Sequence, residues 1–285
     1  MPTLHFRRPL ALALTLLALV GVAQAHQLWV GASNYLLTYP GARPGPVSTV
    51  AYVSFGHRFP IDEPIDDARF GGVYLHAPGA AARRLPSSSD GYRAAPLAFE
   101  KAGTYWVSSV NRPIFSTQLK DAQGVMSYVR VPKNEAPAGA NVVDATQIFG
   151  FAKALISVQG AGADTTALSQ PLGHTLELVP EKNPATAAVG EKIPFRVFFN
   201  GRPYTGEPIE VVAESVAAPQ KVPGAKWSGE TDKSGRVNVP AALPGVWLLI
   251  VTVIEPATAD LKPKANQIRY RATLTFELPG GAYGS

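Results

Sequence analysis

Short runs in which β-branched or aromatic residues alternate with polar ones recur along this chain, and glycine or proline closes most of them. A period of two between turn residues predicts half-buried strands. In the N-terminal half the runs fall at 28–30, 35–39, 47–55, 72–76, 103–110 and 127–131, with a turn at 40–46. The C-terminal half opens at 172–180 and continues with runs at 192–199, 209–215, 236–239, 246–254 and 270–277. Asn200-Gly201 predicts a hairpin, because both residues accept positive φ at little cost. Thr231-Asp-Lys-Ser-Gly235 predicts a second turn of the kind seen in Ig-like repeats.

Between the halves the alternation lapses. Residues 133–146 are rich in Pro, Gly, Asn and Ala and read as a linker. Asp144 stands where it could cap a short helix through 145–150. Residues 151–158 read as a strand or the end of that helix, and 160–170 as a loop. The predicted fold is all-β: two Ig-like β-sandwich domains with a short helix or irregular linker between them. The expected divisions are 26–143 for the first domain, 144–170 for the linker and 171–285 for the second.

The first 25 residues break the alternation in another way. Arg7 and Arg8 precede the uncharged apolar stretch 10–22, which ends at Ala23-Gln24-Ala25. A basic region, a short apolar region and a small-x-small site predict a secretory signal peptide. The apolar stretch falls short of the ~20 residues a membrane span needs. Cleavage after Ala25 makes His26 the first residue, with an α-amine and an imidazole that can chelate one metal ion together. The expected location is the periplasm or the exterior, and no further segment predicts a span.

Composition narrows the chemistry. Cysteine is absent, which removes disulfides, thiolate metal sites and a lipid-anchored cysteine. Met126 is the one methionine left after cleavage, which excludes a methionine-rich Cu(I) site. The net charge of +5 falls to +3 once Arg7 and Arg8 leave, and the basic residues are scattered. Nothing here reads as a nucleic-acid footprint.

Four histidines remain: His26, His57, His76 and His174. His57 sits just past a predicted strand in Gly56-His-Arg-Phe-Pro60, ahead of the acidic segment that holds Asp62 and Glu63. If His26 begins an edge of the same sheet, an amine and two imidazoles converge. Such donors suit Cu(II), Ni(II), Co(II) and Zn(II), and Asp62 or Glu63 could add an oxygen. On spacing alone, a turn-capping role for His57 competes with a ligand role. His76 alternates outward and reads as exposed, and His174 precedes a strand. Trp29, Trp106, Trp227 and Trp247 read as core residues. There is no Gly-x-Ser-x-Gly, His-Glu-x-x-His or Gly-rich phosphate loop, so no enzymatic activity is expected.

Several segments together resemble one family. They are Ala25-His-Gln-Leu-Trp29, Gly56-His-Arg-Phe-Pro60, Ala152-Lys-Ala-Leu155, Leu176-Glu-Leu-Val-Pro180 with Asn183-Pro184, and Asn200-Gly-Arg-Pro203. Thr231-Asp232 with Gly235, Pro244-Gly-Val-Trp247 and 270–276 complete the set. Their order resembles exported proteins of the domain of unknown function 4198 family, a group associated with nickel or cobalt uptake (NikM-like periplasmic components). The resemblance implies a signal peptide, an Ig-like fold, a transition-metal cargo and a membrane transporter as partner. Only His26 and His57 match its histidine positions, and Arg58 stands where many relatives carry histidine or glycine. Two other readings stay open: a copper carrier or copper enzyme with an N-terminal histidine chelate, and a structural or adhesive Ig-like envelope module without metal.

Overall fold

The computed structural model describes residues 26–39, 46–88, 91–159 and 165–280. The expected signal peptide lies outside them, as do the turn at 40–46 apart from Pro46 and the first part of the loop at 160–170. In chain order the strands are β1 (Gln27–Ala32), β2 (Leu36–Leu37), β3 (Val47–Gly56), β4 (Phe70–His76), β5 (Arg83–Leu85), β6 (Arg93–Phe99), β7 (Gly103–Asn111), β8 (Ile114–Lys120), β9 (Met126–Val129) and β10 (Asn141–Val158). After the short helix α1 (Thr165–Ser169) come β11 (Leu176–Pro180), β12 (Lys192–Phe199), β13 (Arg202–Pro203), β14 (Glu210–Ser215), β15 (Lys226–Glu230), β16 (Arg236–Pro240), β17 (Gly245–Pro256) and β18 (Gln267–Leu278).

The chain is all-β, as its alternation predicts. One long sheet runs β15-β14-β17-β18-β10-β7-β4-β5, with β2 and β8 paired to β10 and β9 paired to β8. Two smaller sheets pack against it. The sheet β1-β3-β6 covers the β4–β5–β7–β10 end, and Val30, Val53 and Leu97 meet Val73, Val107 and Ile156 in the core between them. The sheet of β11, β12, β13 and β16 covers the other end, where Leu178, Phe195 and Val239 meet Val211, Leu249 and Leu274. The result is two Ig-like sandwiches that share a continuous sheet. The Asn200-Gly201 turn joins β12 to β13 with φ of 52° and 74°, as predicted.

The join between the halves differs from the expected one. Residues 145–150 are strand rather than helix, inside β10, and the helix falls later, at Thr165–Ser169. β10 pairs parallel with β18 over Thr146–Ala154 and antiparallel with β7 and β8. From Gly150 to Val158 every residue of β10 is buried. A strand covered on both faces loses its alternation, and its apolar run then reads like a helix. The segment expected to separate the halves is the strand that holds them together.

β10 also carries a charge. Lys153 and Glu177 form a buried ion pair at 2.8 Å, with side chains 2% and 0% exposed. The Glu177 carboxylate also accepts the N–H groups of Leu172, Gly173 and His174. Burial works to raise its pKa, but Lys153 and these donors hold it below the usual carboxylate value. The pair fixes the entry to β11 against the centre of the shared sheet.

Candidate functional site

β1 and β3 run antiparallel, with Gln27 opposite Gly56 and Leu28 opposite Phe55. One residue further along this register, His26 faces His57. Their ring centroids lie 4.1 Å apart at an interplanar angle of 58°. His26 also stacks on Phe55, centroid to centroid 5.3 Å. On the other side of Phe55, Glu63 forms a two-way backbone bridge to it, which brings Glu63 Oε2 to 3.7 Å from His26 Nε2. The structure therefore brings together three of the four predicted site residues: His26, His57 and Glu63.

Asp62 does something else. Its Oδ2 accepts the backbone N–H groups of His57 (2.7 Å) and Arg58 (3.0 Å), and its Oδ1 accepts the Arg58 guanidinium. The side chain is 4% exposed. The His57 N–H, working against desolvation and joined by Arg58, holds the Asp62 carboxyl below the usual carboxylate value. Asp62 is thus spent on shaping the His57 loop and is not aimed at a metal. Gly56 makes this possible. Its φ is +149°, and a Cβ there would lie 2.3 Å from Asp62 Oδ2.

Two further contacts hold the histidines in register. The indole of buried Trp29, on β1, donates to the Pro60 carbonyl at 2.7 Å and packs edge-on to Phe59 at 6.2 Å. The strand that carries His26 is thereby tied to the loop that carries His57. From below, the hydroxyls of Thr273 and Thr275 on β18 donate to the carbonyls of Leu28 and Val30, at 2.7 and 2.5 Å. Desolvation first, then the nearby His57, lowers the His26 pKa, although Glu63 works to raise it. That shift favours the neutral imidazole, the form that ligates metals.

The other histidines stand apart. His76, expected to be exposed, is half-buried, and its Nε2 is 2.9 Å from Ser108 Oγ. It lies on β4 beside the antiparallel β7, which carries Ser108. His174 stacks on Phe151 beside Glu177, at 5.7 Å between centroids. Trp29, Trp106 and Trp247 are core residues, as expected, whereas Trp227 is half-buried. Among the described residues no group of three or more His, Asp or Glu is arranged to hold a metal ion on its own.

The histidine pair opens onto a cleft of about 480 Å³ that sequence reasoning did not anticipate. Its floor is one face of three adjacent strands: Ile114, Ser116 and Gln118 of β8; Thr146, Ile148 and Gly150 of β10; and Arg269 and Arg271 of β18. Arg69 from the β3–β4 connection and Tyr128 and Arg130 from the β9 edge complete it. Gly150 is required here, since a Cβ would lie 2.9 Å from Asn111 Oδ1, which accepts the Gly150 N–H. One signal was visible: in Arg269-Tyr270-Arg271 the two arginines share a face of any strand.

No curated protein sequence matches the chain. Among solved structures, the D0-D1 domain of intimin is similar over 88% of this chain and 99% of its own, with 11% identity and a TM-score of 0.21. Trypsin-activated alpha-2-macroglobulin from Escherichia coli is similar over 90% of this chain and 16% of its own, again with 11% identity and a TM-score of 0.21. The family comparison covers most of the sequence, from the residues just before His26 through the body of β17. Across residues 23–255 the chain matches the domain of unknown function (DUF4198), and it belongs to that family.

Proposed function

We propose that this protein binds a divalent transition metal ion, nickel or cobalt, through His26 and His57, and carries it as an exported, non-enzymatic uptake or delivery protein. The observation that supports this reading is the 4.1 Å approach of the two imidazole rings, in a register maintained by Trp29 and Asp62. Imidazole nitrogens suit late divalent metals, and Glu63 supplies an oxygen within reach of His26. Processing after Ala25 would add the α-amine as a further nitrogen beside the His26 ring. The association of the family with nickel or cobalt uptake agrees with this chemistry. A membrane transporter is the partner that would take the ion onward.

The test is a calorimetric titration with Ni(II), Co(II), Cu(II) and Zn(II). Three proteins are compared: a chain beginning at His26, the same chain with Ala25 retained, and His57→Ala. Metal affinity is expected to be highest in the first and to fall by about tenfold or more in His57→Ala, a change of ~1.4 kcal/mol or more. Equal affinity in the first and third proteins would overturn the reading. A Cu(II) affinity that exceeds Ni(II) beyond the usual divalent order would make copper the cargo.

A further inference from the structure

The carboxylate beside the histidine pair admits two exclusive roles. Glu63 Oε2 lies 3.7 Å from His26 Nε2. A metal ion with bonds of about 2 Å to each atom could bridge that gap, which makes Glu63 a ligand. The same gap is just beyond hydrogen-bond length, which makes Glu63 an acceptor for the ring while the ion sits elsewhere. The choice turns on which nitrogen of His26 faces the ion. In a chain that begins at His26, the α-amine and Nδ1 are joined through Cα, Cβ and Cγ alone, so one ion on both closes a compact chelate ring. Nε2 lies on the far side of the imidazole and cannot meet an ion held by its own amine. The two ring lone pairs diverge, so an ion on Nδ1 is turned away from whatever faces Nε2.

The surroundings fix both the carboxylate and the ring. Glu63 is held to β3 by its backbone: the Phe55 N–H donates to the Glu63 carbonyl at 2.9 Å, and the Glu63 N–H to the Phe55 carbonyl at 3.0 Å. The residue before it is tied twice, by the Tyr92 hydroxyl donating to the Asp62 carbonyl at 2.6 Å and by the Asp62 N–H donating to Ser54 Oγ at 3.1 Å. The plane of the His26 ring is set by Phe55, at an interplanar angle of 20°. Phe55 is itself pinned by the Arg69 guanidinium, whose carbon lies 4.2 Å from the ring centroid and which Asp66 holds by an ion pair at 2.7 Å. With the plane set and Nε2 nearest Glu63, Nδ1 is the nitrogen left for an ion. A carboxylate on the far N–H of a metal-bound imidazole fixes its tautomer and raises its basicity. We propose that Glu63 is a positioning residue: it accepts the Nε2–H of His26, so that Nδ1 and the α-amine exposed by processing hold the ion beside His57. This rests on the reading of the two histidines as metal donors, and it takes Glu63 out of the ligand set.

The experiment uses the chain beginning at His26, with its histidine nitrogens isotopically labelled for NMR and Zn(II) as the diamagnetic probe. His26→Gln identifies the His26 signals. In the metal-free protein His26 is expected as the neutral Nε2–H tautomer. Zn(II) is expected to shift Nδ1 while Nε2 keeps its proton. Calorimetry with Ni(II) then compares two variants. Glu63→Gln retains an oxygen acceptor and should bind within about twofold of the parent, whereas Glu63→Ala should bind about tenfold more weakly, as loss of a ring-orienting partner does. An Nδ1–H tautomer in the metal-free protein, or a Zn(II) shift at Nε2, overturns this inference. A Glu63→Gln protein as weak as Glu63→Ala also overturns it and makes the carboxylate a ligand. In each of these outcomes metal still binds, and the metal reading stands. Absence of both Zn(II) and Ni(II) binding overturns the metal reading, and the assignment of Nδ1 with it.

Discussion

The Trp29 indole N–H donates to the carbonyl of Pro60 at 2.7 Å, across 31 residues of sequence. Trp29 lies three residues after His26 and Pro60 three after His57, so this one bond couples the two histidine-bearing segments. Trp29→Phe keeps an aromatic ring in the core and removes the donor. It is expected to cost about 1–2 kcal/mol, as a lost bond to a part-buried carbonyl does. It should also lower Ni(II) affinity several-fold. Urea denaturation and calorimetry on the same protein check both effects.

Asp62 separates a loop-shaping carboxylate from a metal ligand. The oxygens of Asp62 are occupied by the His57 and Arg58 N–H groups and the Arg58 guanidinium. Asp62→Asn retains an oxygen acceptor and should leave Ni(II) affinity nearly unchanged. Asp62→Ala releases the loop and should cost about 10-fold or more, as loss of ligand-orienting contacts does. An Asn variant as weak as the Ala variant would show that the charge itself contacts the metal.

The Lys153–Glu177 pair is a structural commitment at the centre of the shared sheet. Lys153→Met leaves a carboxylate buried with its N–H partners but without its counter-charge. The expected loss is about 3–5 kcal/mol, typical of breaking one side of a buried pair. Because β10 joins both sandwiches, a single cooperative transition should move to lower denaturant. Two separate transitions would show that the sandwiches unfold independently.

His174 predicts an acid sensitivity. Burial lowers its pKa to about 4, with Lys153 and His76 adding to the effect and Glu177 opposing it. The unfolded chain protonates this histidine near its ordinary value of 6.5, before the folded protein does. Its contribution is therefore fully present above pH 6.5 and is lost as pH falls from 6.5 to about 4. The loss is on the order of 3 kcal/mol. Melting curves between pH 7 and 4 should show this slope, and His174→Gln should flatten it.

The β17 and β12 strands, the Asn200-Gly201 hairpin and the tryptophan core were legible because each depends on local sequence. Alternation reports which face of a strand is wet, and Asn-Gly reports a positive-φ turn. β10 was misread for the same reason. Its pattern depends on being covered by sheets on both faces, and no local window records what lies above and below a strand. The strands β5, β6, β13 and β15 were missed as well, as was β8, whose polar positions give weak periodicity.

By itself the sequence determined an all-β chain without cysteine, a small set of histidines and the family to which the chain belongs. The choice of His26 and His57 as the pair to watch also came from sequence, through their donor chemistry and the segments around them. That the rings meet was decided only by tertiary structure, because antiparallel register between β1 and β3 is set by burial and by the Trp29 and Asp62 contacts. The cleft has the same origin. Arg69, Arg130, Arg269 and Arg271 are up to 202 residues apart along the chain, and only strand pairing through β10 collects them beside the histidines.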